Sequence, residues 1–386
     1  MIFKLNYLKL KRLYSWLLIV ILSSFSLFLF THRYIRNNYY ILSVTVISGI
    51  AFTIVYILLI QQGIHYKEDI FNIFFILFFV VFGLYFKDLD IIVLGVLAQS
   101  LLFASGKEII KIYGISQAIL VAFLLVLAVF KCIPMFSTIQ NGWLYDGGTF
   151  ALDFGINKNL VGIFLFNIAV LLFLSTKIRF YLQCIIFSMI ELVIIFLVRD
   201  RTVGIILFLF LICYAFKNEI PNTSKLSKVL IILLPIFLIF LSLFLSFNYG
   251  KKDWINGFNA ILSGRVQFWN YFWNQYSLKL WPQDLTSYFD MYTFGYISSV
   301  QYPVDGFYSL GLLKEGIIAF GILIIMMIYT LYNLLKNQKK NRLVFLVMLA
   351  MVLISLSENI ALSYGYICYL FPYILGAFSR KAHKNY

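Results

Sequence analysis

Apolar runs near 13–30, 40–60, 70–86, 89–105, 112–130, 159–175, 180–198, 202–216, 228–247, 312–333, 343–357 and 360–378 alternate with short polar breaks. A helix crossing a bilayer needs about 20 predominantly apolar residues, and its polar backbone groups must be satisfied internally. The pattern predicts twelve membrane-spanning helices, with Pro235 and Pro372 as kinks inside two of them. The first run follows Lys4, Lys9, Lys11 and Arg12 as a signal peptide would. Thr31-His32-Arg33 follows it in place of a small-residue cleavage site, so it is expected to remain as an uncleaved first span.

Loop charge orients the spans. With the N-terminus inside, 19 of the 31 Lys and Arg fall on inner segments and 12 on outer ones. The outer set includes two long loops, near 131–158 and 248–306, where the positive-inside rule counts least. The short loops therefore predict cytoplasmic N- and C-termini.

Composition removes the competing classes. The chain of 386 residues is 62% hydrophobic and 12% charged, against roughly 45–50% and 25% in soluble domains. Soluble enzymes, disordered chains and disulfide scaffolds are excluded. So is a membrane β-barrel, whose strands alternate instead of running apolar without interruption. The net charge of +15 reads as orienting lysines that meet anionic lipid, not as a nucleic-acid surface. Four cysteines lie in or beside apolar runs without CxxC spacing, and three histidines fall on different loops, so neither suggests a metal or redox site. Asp88-Leu89-Asp90 matches the DxD arrangement of metal-dependent glycosyltransferases, but helix capping explains it as well.

Polar groups at membrane depth are costly and mark where chemistry can sit. Arg199-Asp200-Arg201-Thr202 packs three charges into a tight outer turn. Asp200 or Thr202 can cap the following helix, and two guanidiniums beside a helix N-terminus suit a phosphate or pyrophosphate. Asn157-Lys158-Asn159 leads from a glycine-containing stretch into a span, as a cap or as a polar ligand contact. The long outer loop holds Trp254, Trp269, Trp273 and Trp281, and the stretch around Arg265 to Trp281 is expected as an interfacial helix. Its aromatics are belt residues or sugar-stacking faces, and Arg265 can bind phosphate. Asp305 precedes Gly306-Phe307-Tyr308 at a helix entry, as a cap or a general base. Glu315 lies inside an apolar run and needs a partner, Lys314 or an arginine; Glu191 and Glu358 are further carboxylates in or beside spans.

These pieces resemble the O-antigen and capsular polysaccharide polymerases (Wzy type) and their relatives, the O-antigen ligases. The resemblance spans nearly the whole chain: many spans, a long late outer loop and cationic outer residues. The ligases carry a His-Asn-like pair, nine residues, then a Gly-x-x motif. Here Asp305-Gly306 is followed by nine residues and Gly316-Ile317-Ile318-Ala319. Asp305 at the histidine position argues against a ligase and is similar to the polymerase form.

The resemblance implies an all-α polytopic integral membrane protein of about twelve transmembrane helices, GT-C-like, in the bacterial cytoplasmic membrane. It implies glycosyl transfer at the outer face, from undecaprenyl pyrophosphate to a lipid-linked oligosaccharide repeat unit. Arg199, Arg201 and Arg265 would hold the pyrophosphate; Asp305 would be the base, with Glu358 second. Asn157, Lys158, Asn159, Tyr308 and Trp269 would contact substrate. No metal or cofactor is implied, and a chain-length regulator and a flippase would be partners. The alternatives are a twelve-span flippase or transporter, against which the absence of repeated halves counts, and an O-antigen ligase-like enzyme.

Overall fold

The structure, a computed structural model, describes residues 7–31, 39–63, 81, 104–138, 150–154, 158–174, 178–215, 225–262, 264–283, 285, 306–336 and 338–357. It is an all-α membrane protein, with one small pair of strands. Nine of the twelve apolar runs coincide with described helices. Runs near 70–86, 89–105 and 360–378 fall almost wholly outside the described residues, as do Asp88 and Asp90. Among the described residues, five helices are long and apolar enough to cross a membrane: Lys9–Phe28, Gly106–Val129, Phe180–Val198, Ser227–Asn248 and Phe307–Lys336. Shorter apolar helices cover Ser43–Leu58, Lys158–Leu174, Arg201–Ala215 and Arg342–Ile354. Described residues up to Ser137 and from Ala151 to Asp200 form one compact unit; Thr138, Phe150 and those from Arg201 onward form another.

In the first unit α1 (Tyr7–Thr31) packs on α2 (Tyr39–Gly63) and on α3 (Gly106–Val129), and α3 packs on α4 (Lys158–Leu171). Ser105 starts α3 with a capping box: its amide N–H donates to Glu108 Oε2 at 2.6 Å, and the Glu108 N–H donates back to Ser105 Oγ at 3.4 Å. Lys11 Nζ lies 3.2 Å from Glu108 Oε1, so the N-terminal parts of α1 and α3 adjoin. Two side-chain hydrogen bonds join helices here. Asn167 Nδ2 on α4 donates to Gln117 Oε1 on α3 at 2.7 Å, and Thr45 Oγ1 on α2 donates to Ser24 Oγ on α1 at 2.8 Å. Such pairs fix which helix faces meet, because an unpaired amide in hydrocarbon is costly. Two short strands, β1 (Phe136–Thr138) and β2 (Phe150–Leu152), pair before α4.

Helix α5 (Phe180–Leu192) runs into a π-helical turn, Val193–Val198. It ends where the N–H groups of Arg199 and Asp200 both turn back to the Ile194 carbonyl. Arg199 has φ 61 and ψ 32, the left-handed position that glycine usually fills at a helix end.

The second unit contains α6 (Arg201–Ala215), α7 (Lys225–Asn248), α8 (Asp253–Ile261), α9 (Arg265–Gln275), α10 (Phe307–Lys336, with a π-helical first turn to Gly311) and α11 (Gln338–Ile354). Helices α9 and α10 pack on α7; α11 packs on α10 and α6. The first part of the stretch expected as an interfacial helix, α9, packs one face into the protein. Arg265, Val266, Trp269 and Phe272, spaced along one face of α9, are buried in a core with Leu245, Ile255, Leu262, Leu310 and Leu313.

Helix α10 is broken at Gly316, with φ 73 and ψ 169. A break frees backbone groups that must find partners. The irregular segment 276–283 supplies them. Ile317 and Ile318 N–H donate to the Lys279 and Leu280 carbonyls at 3.0 and 3.2 Å, and Gln283 N–H donates to the Lys314 carbonyl at 2.8 Å. Gln283 Nε2 also donates to the Leu313 and Ser277 carbonyls at 2.9 and 3.0 Å. A Cβ at residue 316 would lie 2.6 Å from the Trp281 carbonyl carbon and oxygen, so glycine is required for conformation and for space.

Candidate functional site

The second unit brings together part of the residue set singled out from the sequence. Arg265 opens α9 and is 8% exposed, with Nη1 donating to the Leu262 carbonyl at 3.2 Å. Trp269 follows one turn later on the same face and is fully buried. Gly306 packs directly on that indole: a Cβ there would meet Trp269 Nε1 and lie 2.7 Å from Cε2. With φ 100, Gly306 also occupies backbone space closed to other residues.

From Gly306 the chain enters the π-helical first turn of α10, and this entry is fixed to the end of α11. Phe307 N–H donates to the Ser355 carbonyl at 3.0 Å, and the Tyr308 hydroxyl donates to the Val352 carbonyl at 3.0 Å. Tyr308 is fully buried. Tyr308 and Trp269, both expected to contact substrate, thus present no open ring face here. Their observed part is to position the chain around Gly306.

A polar bracing holds α9 against α7 and α10. Trp273 Nε1 donates to Ser309 Oγ at 2.9 Å, Ser309 and Ser246 hydroxyls lie 3.2 Å apart, and Asn270 Nδ2 donates to the Ser246 carbonyl at 2.7 Å. Tyr249 donates to Gln267 Oε1 at 2.6 Å, and the Gln267 N–H donates to Asn259 Oδ1 at 3.1 Å. Burial pushes the Tyr249 phenol above its ordinary value. Neither Ser246 nor Ser309 stands out in the sequence, since serine in an apolar run carries no periodic signal of its partner.

Glu315 is buried at the break of α10, with Oε1 3.5 Å from Lys314 Nζ, one of the partners its sequence setting called for. Asp305, Glu358 and Asn157 lie outside the described residues. Among the described residues no group of three or more His, Cys, Asp or Glu side chains is gathered to hold a metal ion.

The first unit holds the other arginine. Asp200 is buried, and its carboxylate sits against Gly162 on α4: a Cβ on residue 162 would lie 2.5 Å from Asp200 Oδ2. Lys158 and Asn159, both partly buried, open the same helix one turn earlier. The Arg199-Asp200 junction and the start of α4, separate stretches in the sequence, therefore adjoin. Arg199 is partly exposed, and Arg201, the first residue of α6, is exposed.

The fold places the chain in the class of helical membrane proteins with broken and π-bulged spans. No protein-family model, curated sequence or solved structure matches the chain.

Proposed function

We propose that the protein is a polysaccharide polymerase of the bacterial cytoplasmic membrane, with twelve spans in a GT-C-like arrangement and both termini inside. The growing glycan leaves undecaprenyl pyrophosphate and joins a sugar hydroxyl of the next lipid-linked repeat unit. The observation that carries this reading is the junction of Arg265, Trp269 and Gly306, with the Phe307 N–H bonded to Ser355. Asp305 is the residue before Gly306, and Glu358 follows Ser355 by three positions. A buried guanidinium in a braced core, and two carboxylates within three positions of that core's residues along the sequence, are the parts that the transfer needs.

In this proposal Asp305 takes the proton of the acceptor hydroxyl, whose oxygen bonds to the anomeric carbon as that carbon's bond to the pyrophosphate oxygen breaks. The departing charge is met by Arg265, with Arg199 and Arg201 as further cations. Asn157, Lys158 and Asn159 contact the sugar or the headgroup. Because guanidiniums carry the leaving-group charge, activity is expected to persist in EDTA.

A disrupted strain should accumulate single lipid-linked repeat units on the outer leaflet and make no long polymer. Asp305→Asn should abolish polymerisation with protein levels unchanged; full activity in that variant would leave Asp305 as a helix cap and remove this mechanism. One observation favours a second reading. Discontinuous helices such as α10 recur in transporters. Accumulation on the inner leaflet would select a flippase.

A further inference from the structure

The geometry of α10 assigns a membrane surface to the protein. Phe307–Lys336 is a span of 30 residues, about 45 Å at 1.5 Å per residue, half as long again as the roughly 30 Å hydrocarbon layer. Its uncharged part, Gly316 to Leu335, is 20 residues, about 30 Å, bounded by Lys314 and Glu315 at one end and Lys336 at the other. The break at Gly316 thus falls where the hydrocarbon must end.

The segment docked in that break has matching chemistry. Leu278, Lys279, Leu280 and Trp281 are exposed, Leu280 at 56% and Trp281 at 53%. Below them Ile318, Ile322 and Ile325, spaced i, i+4, i+7, form an exposed stripe on α10. The Lys279 and Leu280 carbonyls are satisfied by α10, which lets the segment lie against an apolar layer. Indole and lysine are the side chains that favour the headgroup level, the ring against the upper acyl chain and the ammonium beside phosphate.

We infer that the segment 277–283 is a lipid-contact strap lying in the headgroup layer of the bilayer, occupied by phospholipid with its acyl chains over Leu280 and Trp281 and its phosphate beside Lys279. The strap also seals the backbone at the head of the uncharged part of α10, about one hydrocarbon thickness long, and it raises Phe307–Glu315 above the acyl region. This assignment rests on the membrane nature of the chain and not on glycosyl transfer.

Full-length protein in nanodiscs of phosphatidylcholine and phosphatidylglycerol, with bromine placed near the glycerol end or near the methyl end of the acyl chains, tests it. The difference in fluorescence between wild type and Trp281→Phe isolates this indole from the other five tryptophans. Shallow bromine should quench it at least about twofold more than deep bromine, as expected for an interfacial indole. Leu280→Trp should add a second indole with the same depth profile. Stronger quenching by deep bromine, quenching by aqueous iodide alone, or insensitivity to all three would overturn the assignment. The last result would mean that a second copy or another protein covers the strap.

Discussion

Arg265 and Arg199 carry the same guanidinium into opposite settings. Arg265 is buried at the head of a regular helix, in a core where helix faces and polar braces converge. Arg199 is partly exposed and ends a π-helical turn in a left-handed backbone conformation. Placing a charge inside a core costs several kcal/mol unless its hydrogen-bonding groups are met. A left-handed L-residue costs about 1 kcal/mol whatever its side chain does. The first cost is set by packing, the second by backbone. Substitutions that touch packing should therefore dominate at Arg265, and those that touch backbone at Arg199.

The largest effect is expected at Trp269. Trp269→Ala opens a cavity beneath Gly306 and should destabilise the fold by about 3–5 kcal/mol. Thermal unfolding in detergent and the yield of monodisperse protein would read this directly. Trp269→Phe, which keeps most of the volume, should retain more than half of that stability. An unchanged melting temperature in Trp269→Ala would mean that α9 is not the core element described above.

Next is Arg265→Ala, which on the proposed function removes a donor to the leaving pyrophosphate. Polymer formation on purified lipid-linked repeat units should fall by about 10²–10³-fold, the usual loss for one charge-stabilising donor. Arg265→Lys should recover little, because an ammonium lacks the planar fork of a guanidinium. Wild-type chain lengths in both variants would remove Arg265 from the site while leaving its packing role intact.

The same contrast separates what the sequence makes legible from what it hides. Spans are legible because an uninterrupted apolar run has one physical solution in a bilayer; α4, α7 and α5 with its π-helical turn follow theirs to within a few residues, while α3 begins six residues before its run. Glu315 is legible as a group that must be paired, and Lys314 lies 3.5 Å away. The break beside it is hidden, since its hydrogen bonds come from Ser277 to Gln283, a segment with no period. Burial of α9 is hidden too: a Trp-rich stretch suits a membrane interface and a core equally well, and only packing on α7 decides. The left-handed Arg199 reverses the usual signal, because a helix end of that geometry is normally announced by glycine.

Gly162→Ala sharpens the comparison within the first unit. The added methyl would press on the Asp200 carboxylate, with 3.1 Å to its Cβ and Cγ, and Asp200 has little room to move because it is buried. A loss of about 1–3 kcal/mol is expected, typical of overpacking. Asp200→Ala in the same chain should restore part of it, as the coupling of two touching groups predicts. Additive losses in the double variant would show that the two residues do not share one notch.

The smallest effect, and the one that reads the arginine apart from its backbone, is Arg199→Gly. Glycine adopts the left-handed region without the clash of a Cβ, so relief of strain favours the folded state by about 1 kcal/mol. The greater freedom of glycine in the unfolded chain offsets part of that gain. The net change in melting temperature should be small and upward. On the proposed function the same variant loses a cation for the lipid pyrophosphate, so polymer yield should fall while stability holds or rises. Those opposite directions are the test, because a purely structural Arg199 cannot produce them. If Arg199→Gly keeps full polymer yield and melts higher, the strain at this junction belongs to the helix end alone, and Arg265 is left as the buried cation of the proposed site.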